Sequence, residues 1–366
     1  MPVFLTRRRL LGTAAAASAA SAVLVAGGRA GAQDPIRVGF VYVGPIGDHG
    51  WTYRHEVGRR AVEEEFGDRV RTSFVENVSE GPDAERVVRQ LATTGHDLIF
   101  TTSFGFMNAT VRVARQFPNV KFEHCTGYQR APNLATYNAR FYEGRAVIGT
   151  IAGHRTQSGI VGYIGSFPIP EVVMGINAFM LAAQKVRPDI QLRLVWVNSW
   201  YDPGREADAA RTLIDQGADI IVQHTDSPAA LQVAEERSVW AFGQASDMSR
   251  FAPNAQLTAI VDDWDPYYIE RVQAVIDGTW ESVDVWRGLK EGMVVIAPYG
   301  PAVTPEMAEA ADGVKEAILA GELHPFQGPI HNQAGERVVP EGEHLSDEQL
   351  LRMDWYVQGI QGRLGN

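Results

Sequence analysis

The sequence predicts an α/β fold in two lobes, each built on a parallel β-sheet. Short apolar segments alternate with helical segments along most of the chain, and a second series that begins at Gly159 resembles the first. Because parallel strands need a crossover connection, this alternation is typical of sheets whose two faces are covered by helices. Two such series in one chain indicate two lobes with a cleft between them.

Hydrophobic periodicity gives the individual elements. The predicted strands are Ile36–Val43, Val70–Val75, Asp97–Thr101, Val120–His124, Ile160–Ile164, Leu192–Val197, Ile220–Val222 and Trp240–Gly243. The predicted helices are Tyr53–Phe66, Ala84–Thr94, Val111–Phe117, Pro170–Val186, Gly204–Gln216 and Pro228–Arg237. We expect a first lobe over residues 35–157 plus about 264–290 and a second over residues 158–262 plus about 291–320. The segment 321–366, richer in Gly, Pro and charge, is expected to wrap a surface.

The first 32 residues have the pattern of an export signal. Three adjacent arginines, Arg7 to Arg9, precede an Ala-rich, mildly apolar stretch and the small residues Ala30-Gly31-Ala32. This order of a charged region, an apolar region and a cleavage site is typical of a signal peptide, and the adjacent arginines favour the twin-arginine route. We therefore predict cleavage near Ala32–Gln33 and a periplasmic protein; an ordinary secretory signal or a retained anchor are the alternatives.

Composition excludes several classes of function. The chain has 366 residues, 45% hydrophobic and 21% charged, which is ordinary for globular proteins. Its formal charge is −11, and four arginines but no acids lie in residues 1–32, so the exported part is more acidic still. Such a charge argues against nucleic acid and anionic membranes as partners. The single cysteine, Cys125, excludes an internal disulfide and is expected to be a buried small side chain.

Aromatic and short polar side chains recur directly after the predicted strands of both halves. They include Asp48, Trp51, Phe104, Asn138, Trp196, Asn198, Trp200, Asp226 and Asp247. The carboxyl ends of parallel strands form the ligand crevice of an α/β sheet, and aromatic faces with carboxylates and amides suit a flat polar molecule. The alternatives are local: Trp51 is then a packing residue at a helix start, and Asp226 caps the helix predicted at Pro228.

Catalytic and metal motifs are scarce. The chain lacks the nucleophile elbow, the phosphate-binding loop and the dinucleotide fingerprint. His55-Glu56 begins like a zinc-protease motif, but Arg59 stands where the second histidine is required, so we expect a solvent-facing helix turn there. His124 and His224, both at strand ends, are the pair that the topology allows to meet. We expect no metal and no cofactor.

The order and spacing of several stretches of this chain resemble the basic membrane protein family of ABC-transporter substrate-binding proteins, in its purine-nucleoside-receptor-like group. The matching stretches are Val38–Trp51, Ile99–Phe106, Tyr137–Gly144, Gly159–Pro170, Trp196–Glu206, Asp215–Asp226, Phe242–Asp247 and Trp286–Gly292. The resemblance implies a type I periplasmic-binding-protein fold, with two Rossmann-like lobes that three crossovers join. It also implies a binding protein without catalysis that captures purine bases or nucleosides for a membrane permease.

The resemblance also implies roles for individual residues. Trp51 and Trp200 match the two positions that offer ring faces to the base. Asp247 and Lys290 match the acid and the lysine that serve the ribose in nucleoside receptors. The chain departs from the family where Gln223 to Ser227 replace a Gly-rich stretch and where Glu123-His124-Cys125 replace the usual acid.

The bulkier residues at these two departures favour a free base, adenine, over a nucleoside. We accordingly predict a monomeric periplasmic receptor of an ABC importer. A sugar receptor of the same fold, an exported hydrolase or dehydrogenase, and a ligand-sensing accessory to a membrane kinase are the alternatives. The missing motifs disfavour the enzymes.

Overall fold

The computed structural model describes residues 34–364. The export signal predicted over residues 1–32 lies outside this range. The first lobe begins with five strands and three helices in alternation. The strands are β1 Ile36–Val41, β2 Val70–Val75, β3 Leu98–Thr101, β4 Lys121–Cys125 and β5 Leu134–Ala139. The helices are α1 Gly50–Phe66, α2 Pro82–Thr93 and α3 Met107–Gln116.

The second lobe repeats this arrangement after a long connecting helix, α4 Phe141–Arg155. Its strands are β6 Ile160–Gly165, β7 Gln191–Trp196, β8 Ile220–His224, β9 Trp240–Gly243 and β10 Gln256–Asp262. Its helices are α5 Pro170–Val186, α6 Pro203–Asp215 and α7 Ala229–Glu236. Helix α4 packs closely on α5, because Gly149 lies against the backbone carbonyl of Phe179 where a Cβ would collide.

The last part of the chain returns to both lobes. Helix α8 Asp265–Ile276 packs on α1, and β11 Asp284–Arg287 pairs with β5. Strand β12 Val294–Ile296 then pairs with β10, and α9 Pro305–Leu319 packs on α4. The remaining elements belong to the C-terminal segment: β13 Ile330–His331, β14 Arg337–Val339, α10 Asp347–Leu350 and β15 Ile360–Gln361.

Two large sheets result, and their strand orders confirm the predicted parallel α/β architecture. The first sheet has the order β11-β5-β4-β3-β1-β2, and all its pairs are parallel. The second has the order β12-β10-β9-β8-β6-β7-β15, in which β12 runs antiparallel to its neighbour and the other pairs are parallel. The chain passes between the sheets three times: after β5, after β10 and after β11.

The structure confirms the prediction for Cys125 and contradicts the one for the helix turn at His55-Glu56. Cys125 is free and fully buried at the end of β4, as expected. The solvent-facing helix turn expected at His55-Glu56 is wrong, because both side chains are buried. The His55 ring stacks on the indole of Trp264 with centroids 4.7 Å apart, and its Nδ1 lies 2.6 Å from the Tyr268 hydroxyl. These contacts join α1 to the crossover helix α8, so His55 has a packing role.

Among residues 34–364, no helix is both long and apolar enough to cross a membrane.

Candidate ligand-binding site

A cavity lies between the two sheets, at the carboxyl ends of their strands. It encloses about 410 Å³ of space, including the solvent at its mouth. The lining comes from both lobes and consists of Val43, Trp51, Ser103, Phe104, Thr126, Glu171, Trp200, His224, Asp226 and Gln244. In an open α/β sheet this is the position where ligands bind.

The first lobe contributes Trp51 and Phe104 to the aromatic part of the lining. Trp51 is the second residue of α1, and its indole N–H donates to the Thr102 carbonyl at 2.7 Å. Its ring system makes T-shaped contacts with His55 and Trp264, whose ring centroids are 4.5 and 5.5 Å away. The indole is therefore fixed in orientation before any ligand arrives, which lowers the entropy lost on binding.

The second lobe contributes Trp200, from the loop after β7. Its indole N–H donates across the cleft to Glu80 Oε1 at 3.3 Å. The Ser103 hydroxyl and the Gly105 N–H also donate to that oxygen, at 2.6 and 3.1 Å. Glu80 thus links the second-lobe tryptophan to the loop that carries Phe104. No sequence pattern distinguishes Glu80 from the other surface acids.

Asp226 lies in the loop after β8, and its Oδ1 accepts a hydrogen bond from the backbone N–H of Trp51 at 3.3 Å. The expected alternative, that Asp226 caps the next helix, is wrong: α7 begins at Ala229 without a side-chain cap. Buried Glu206 holds this loop, because its Oε2 accepts the Thr225 hydroxyl at 2.9 Å and the Ser227 hydroxyl at 2.7 Å. Burial, and secondarily the charge of Glu206, raises the pKa of Asp226 to about 8.

Further polar groups lie beside Asp226 on the second-lobe side. Glu171, the second residue of α5, and His224, the last residue of β8, line the cavity together with Gln244. Behind them the buried Arg145 of α4 donates to the Gln223 carbonyl at 3.1 Å and to the Gln244 side-chain carbonyl. Its Nε and Nη1 have no hydrogen-bond partner within residues 34–364.

The lobes touch each other along the mouth of this cavity. Helix α1 has no side-chain cap of its own, and its first N–H donors are satisfied from the second lobe. The Gly50 N–H donates to the Ser246 hydroxyl at 2.8 Å, next to the bond from Trp51 to Asp226. Arg54 donates to the Asp262 carbonyl. The positive end of the α1 dipole therefore faces the opposite lobe and its carboxyl group.

The structure brings together four of the ten residues predicted for the site: Trp51, Phe104, Trp200 and Asp226 line the cavity. The other six, Asp48, Asn138, Trp196, Asn198, Asp247 and Lys290, do not belong to its lining.

Three of these six lie near the cleft and have other partners. Asp48 is exposed and pairs with Arg250 across the mouth. Asn138 lines a neighbouring cavity, and its side-chain oxygen accepts the N–H of Ala139 at 2.8 Å. Asp247 is exposed and accepts from the Gln256 amide at 2.8 Å.

The remaining three point elsewhere. The Trp196 indole donates to the Arg363 carbonyl at 3.1 Å, in the C-terminal segment. Asn198 is exposed with φ of 51°, so it serves the turn after β7. Lys290 is exposed in the connection between β11 and β12. Asp247 and Lys290, which the resemblance assigns to a ribose, are thus both outside the lining.

Two residues at or behind the cavity were not predicted from the sequence. Glu171 sits inside a helix rather than after a strand, and only its place behind Pro170 marks it as part of a helix start. The sequence around Arg145 carried a clearer signal, because Arg145 is the sole charged residue in the mainly apolar stretch from Gly144 to Gly153. A charged residue in a helix buried on nearly every side needs partners, and one partner of Arg145, Gln244, lines the cavity.

The part of the chain that the structure describes contains no group of three or more side chains arranged to hold a metal ion. His124 Nδ1 lies 2.9 Å from the Thr101 hydroxyl, and burial lowers the pKa of His124 to about 3.

Comparison with known proteins identifies the family. A family model described as ABC transporter substrate-binding protein, PnrA-like, matches residues 36–323. The chain belongs to this family of ABC transporter substrate-binding proteins. The resemblance inferred from the sequence is thereby confirmed. The family and the relatives described next are binding proteins rather than enzymes.

Two relatives cover nearly the whole PnrA-like chain. A purine-binding protein of Brucella abortus is 56% identical over 338 residues, which are 92% of this chain and 96% of that protein. A protein of Haloferax volcanii, named as a candidate ABC transporter glucose-binding protein, is 36% identical over 339 residues, or 92% of this chain and 83% of that protein.

Solved structures establish the fold. A solute-binding protein of an ABC transporter from Aeropyrum pernix superimposes with a TM-score of 0.68 at 19% identity, covering 81% of this chain and 94% of the other. A second, from Conexibacter woesei, gives 0.63 at 22% identity, with 79% and 98% covered. The protein therefore has the type I periplasmic-binding-protein fold that the sequence predicted.

Proposed function

We propose that this protein is the periplasmic receptor of an ABC importer and that it captures a purine base, adenine, in the interlobe cavity without catalysing a reaction. The observation that carries the proposal is the lining itself. One indole from each lobe, Trp51 and Trp200, borders the same cavity as the carboxyl group of Asp226. The naming of the Brucella relative as purine-binding, at 56% identity, supports it.

Stacking supplies the affinity in this proposal. Contact between a base and an aromatic side chain contributes roughly 1–3 kcal/mol for each aromatic face. Hydrogen bonds from Asp226 and Gln244 to the edge of the base supply selectivity, since a mismatched edge leaves buried polar groups without partners. The contacts between the lobes at Gly50 and Trp51 make closure part of binding, and the closed shape is what a permease recognises.

The cavity favours a base over a nucleoside. His224 and Asp226 occupy its lining, whereas Asp247 and Lys290, the ribose partners that the family suggests, are exposed outside it. We expect adenine to bind more tightly than adenosine and Asp226→Gly to narrow the difference. Calorimetric titration of both ligands into both proteins tests this. Tighter binding of adenosine by the unmodified protein would contradict it and restore the ribose roles of Asp247 and Lys290.

A glucose receptor is the second candidate, because the Haloferax relative carries that name and a pyranose also stacks on tryptophan. A thermal-shift screen of adenine, hypoxanthine, adenosine and glucose separates the two. A shift with glucose and none with purines would replace the first candidate by the second.

Delivery to a permease is tested in cells. Deletion of the gene is expected to abolish high-affinity uptake of labelled adenine, and complementation with the full chain to restore it. Unchanged uptake in the deletion strain, with purine binding intact in vitro, would favour a sensing role. We also expect a monomer, which light scattering measures directly.

A further inference from the structure

The acidic side chains at the cavity lack cationic partners. Glu171 lines the cavity, its Oε2 has no hydrogen-bond partner among the described residues, and its Oε1 lies 3.8 Å from His224 Nε2. Within the same part of the chain, both carboxyl oxygens of the fully buried Asp262 lack partners too. Across residues 34–364, no lysine or arginine nitrogen comes within 4.0 Å of a carboxyl oxygen of Glu171, Asp226 or Asp262.

The charges around Glu171 come from every element packed against it. Arg145 of α4, His224 of β8, Asp262 of β10 and the thiol of Cys125 lie near it, and Asp226 lines the same cavity. Arg145 is the one buried cation in this set, and it donates to amide carbonyls instead of a carboxylate. Arg145 therefore acts on Glu171 and Asp262 only at a distance, and Asp262 also lies near Arg54.

Unpaired buried carboxylates are too unfavourable to persist. Removing an ion from water costs several kcal/mol unless a well-placed partner offsets it, and otherwise the group takes up a proton. Burial raises the pKa of Glu171 to about 7, although the amide of Asn138 and the charge of Arg145 act in the opposite direction. The pKa of Asp262 is raised well above its usual range for the same reason. At neutral pH and below, Glu171 has a proton to donate.

We propose that Glu171 recognises the purine as a neutral carboxylic acid, whose O–H donates to an acceptor of the base while its C=O accepts from the neighbouring N–H. The proposal rests on the proposed function and names the bases that this site prefers. Adenine has an amino group beside a ring nitrogen that accepts, and hypoxanthine has a ring N–H beside a carbonyl. A carboxylic acid pairs with either base, because exchanging the positions of its O–H and C=O matches the donor and the acceptor in both cases. An ionised carboxylate only accepts, so it suits the two adjacent donors of guanine instead.

The sign of the pH dependence follows. Below about pH 7 the donor form of Glu171 is populated and adenine binding is at its strongest. Above about pH 7 Glu171 loses its proton, and the affinity for adenine then decreases by a factor that approaches about tenfold for each further pH unit. The pKa of His224 is lowered well below its usual value by burial, so this histidine stays neutral across the same range.

The test is calorimetry with adenine from about pH 6 to about pH 9, where Glu171 is expected to titrate. Glu171→Gln keeps one donor and one acceptor, so it should bind within about threefold of the unmodified protein at the lower pH and show no fall at the higher. Glu171→Ala should lose about tenfold or more throughout. Asp208→Asn, at an exposed acid of α6, is the matched control and should retain the full pH profile.

Asp226 is the competing source of any pH dependence, since its pKa also lies in the measured range. A fall that persists in Glu171→Gln but vanishes in Asp226→Asn would overturn the assignment to Glu171. A flat profile in the unmodified protein, or a Glu171→Gln variant as weak as Glu171→Ala, would overturn it as well. If no purine binds at any pH while glucose does, the proposed function fails together with this inference, so the two failures are distinguishable.

Discussion

Gly50 permits a close approach between the lobes, and replacing it by alanine should weaken ligand binding. Gly50 has φ of +78°, and a Cβ at this position would lie 2.7 Å from the Asp226 carbonyl oxygen of the opposite lobe. That distance is well inside van der Waals contact, and a backbone carbonyl cannot swing away as a flexible side-chain end does. The clash opposes contact between the lobes, and in the proposed function it is this contact that accompanies ligand binding.

The magnitude follows from the contacts that separation would break. Moving α1 away from the second lobe lengthens the bond from the Gly50 N–H to the Ser246 hydroxyl and that from the Trp51 N–H to Asp226. Each is worth about 1 kcal/mol net. Their loss amounts to about 2 kcal/mol, and at about 1.4 kcal/mol for each factor of ten we expect adenine affinity to fall ~30-fold or more.

Alanine at a positive φ is also strained by about 1–2 kcal/mol, whether or not the lobes are in contact, so this backbone effect needs a control. Gly278→Ala provides it, because Gly278 has φ of +69° and a Cβ added there would meet no heavy atom of residues 34–364 within 4 Å. Both variants should lose similar stability in thermal melts, while calorimetry with adenine should show the affinity loss in Gly50→Ala alone. If the two variants bind adenine within threefold of each other, the lobes do not need this contact and the reasoning is refuted.

The other predictions concern the aromatic lining, metal and the buried ion pair. Trp51→Ala and Trp200→Ala should each weaken adenine binding tenfold or more, because each removes one stacking face; unchanged calorimetric affinity in both variants would rule out the sandwich. Dialysis against a chelator should leave affinity unchanged, and a large loss would reveal a metal requirement. Arg271→Ala should lower the free energy of unfolding by about 3 kcal/mol or more, because it leaves the buried Glu123 carboxylate without its partner at 2.6 Å. In the same denaturant titration Arg287→Ala, in a partly exposed pair, should cost about 1 kcal/mol or less.

Strands that form short apolar runs were predictable because they carry their own signal. Trp240–Gly243 has the predicted bounds, since it is a short apolar run, and so does Val70–Val75, in which apolar residues lie at both ends of the strand. Strands β5 and β10 were missed, although both are almost wholly buried. Leu134–Ala139 contains Thr, Tyr and Asn among small residues, and its apolar environment comes from neighbouring strands and helices rather than from its own composition.

The residues predicted for the candidate site likewise divide into those that their position in the sequence placed correctly and those that it did not. Trp51, Phe104, Trp200 and Asp226 were predictable because each follows a strand, and strand ends of parallel sheets converge. Asp247 and Asn198 also follow strands, yet their side chains point into solvent, because the sequence does not set the direction in which a loop leaves its strand.

The sequence by itself determined the fold class through its periodicity and the aromatic character of the cavity through the residue types at strand ends, and its resemblance to a known family indicated the family. Only the tertiary structure decided which acids line the cavity. Glu171 and Arg145 lie within helices α5 and α4, whose packing against each other places Glu171 at the cavity together with His224 and Asp226. Burial and the distance between charges, which set the protonation of these groups, are properties of that packing and of no local pattern.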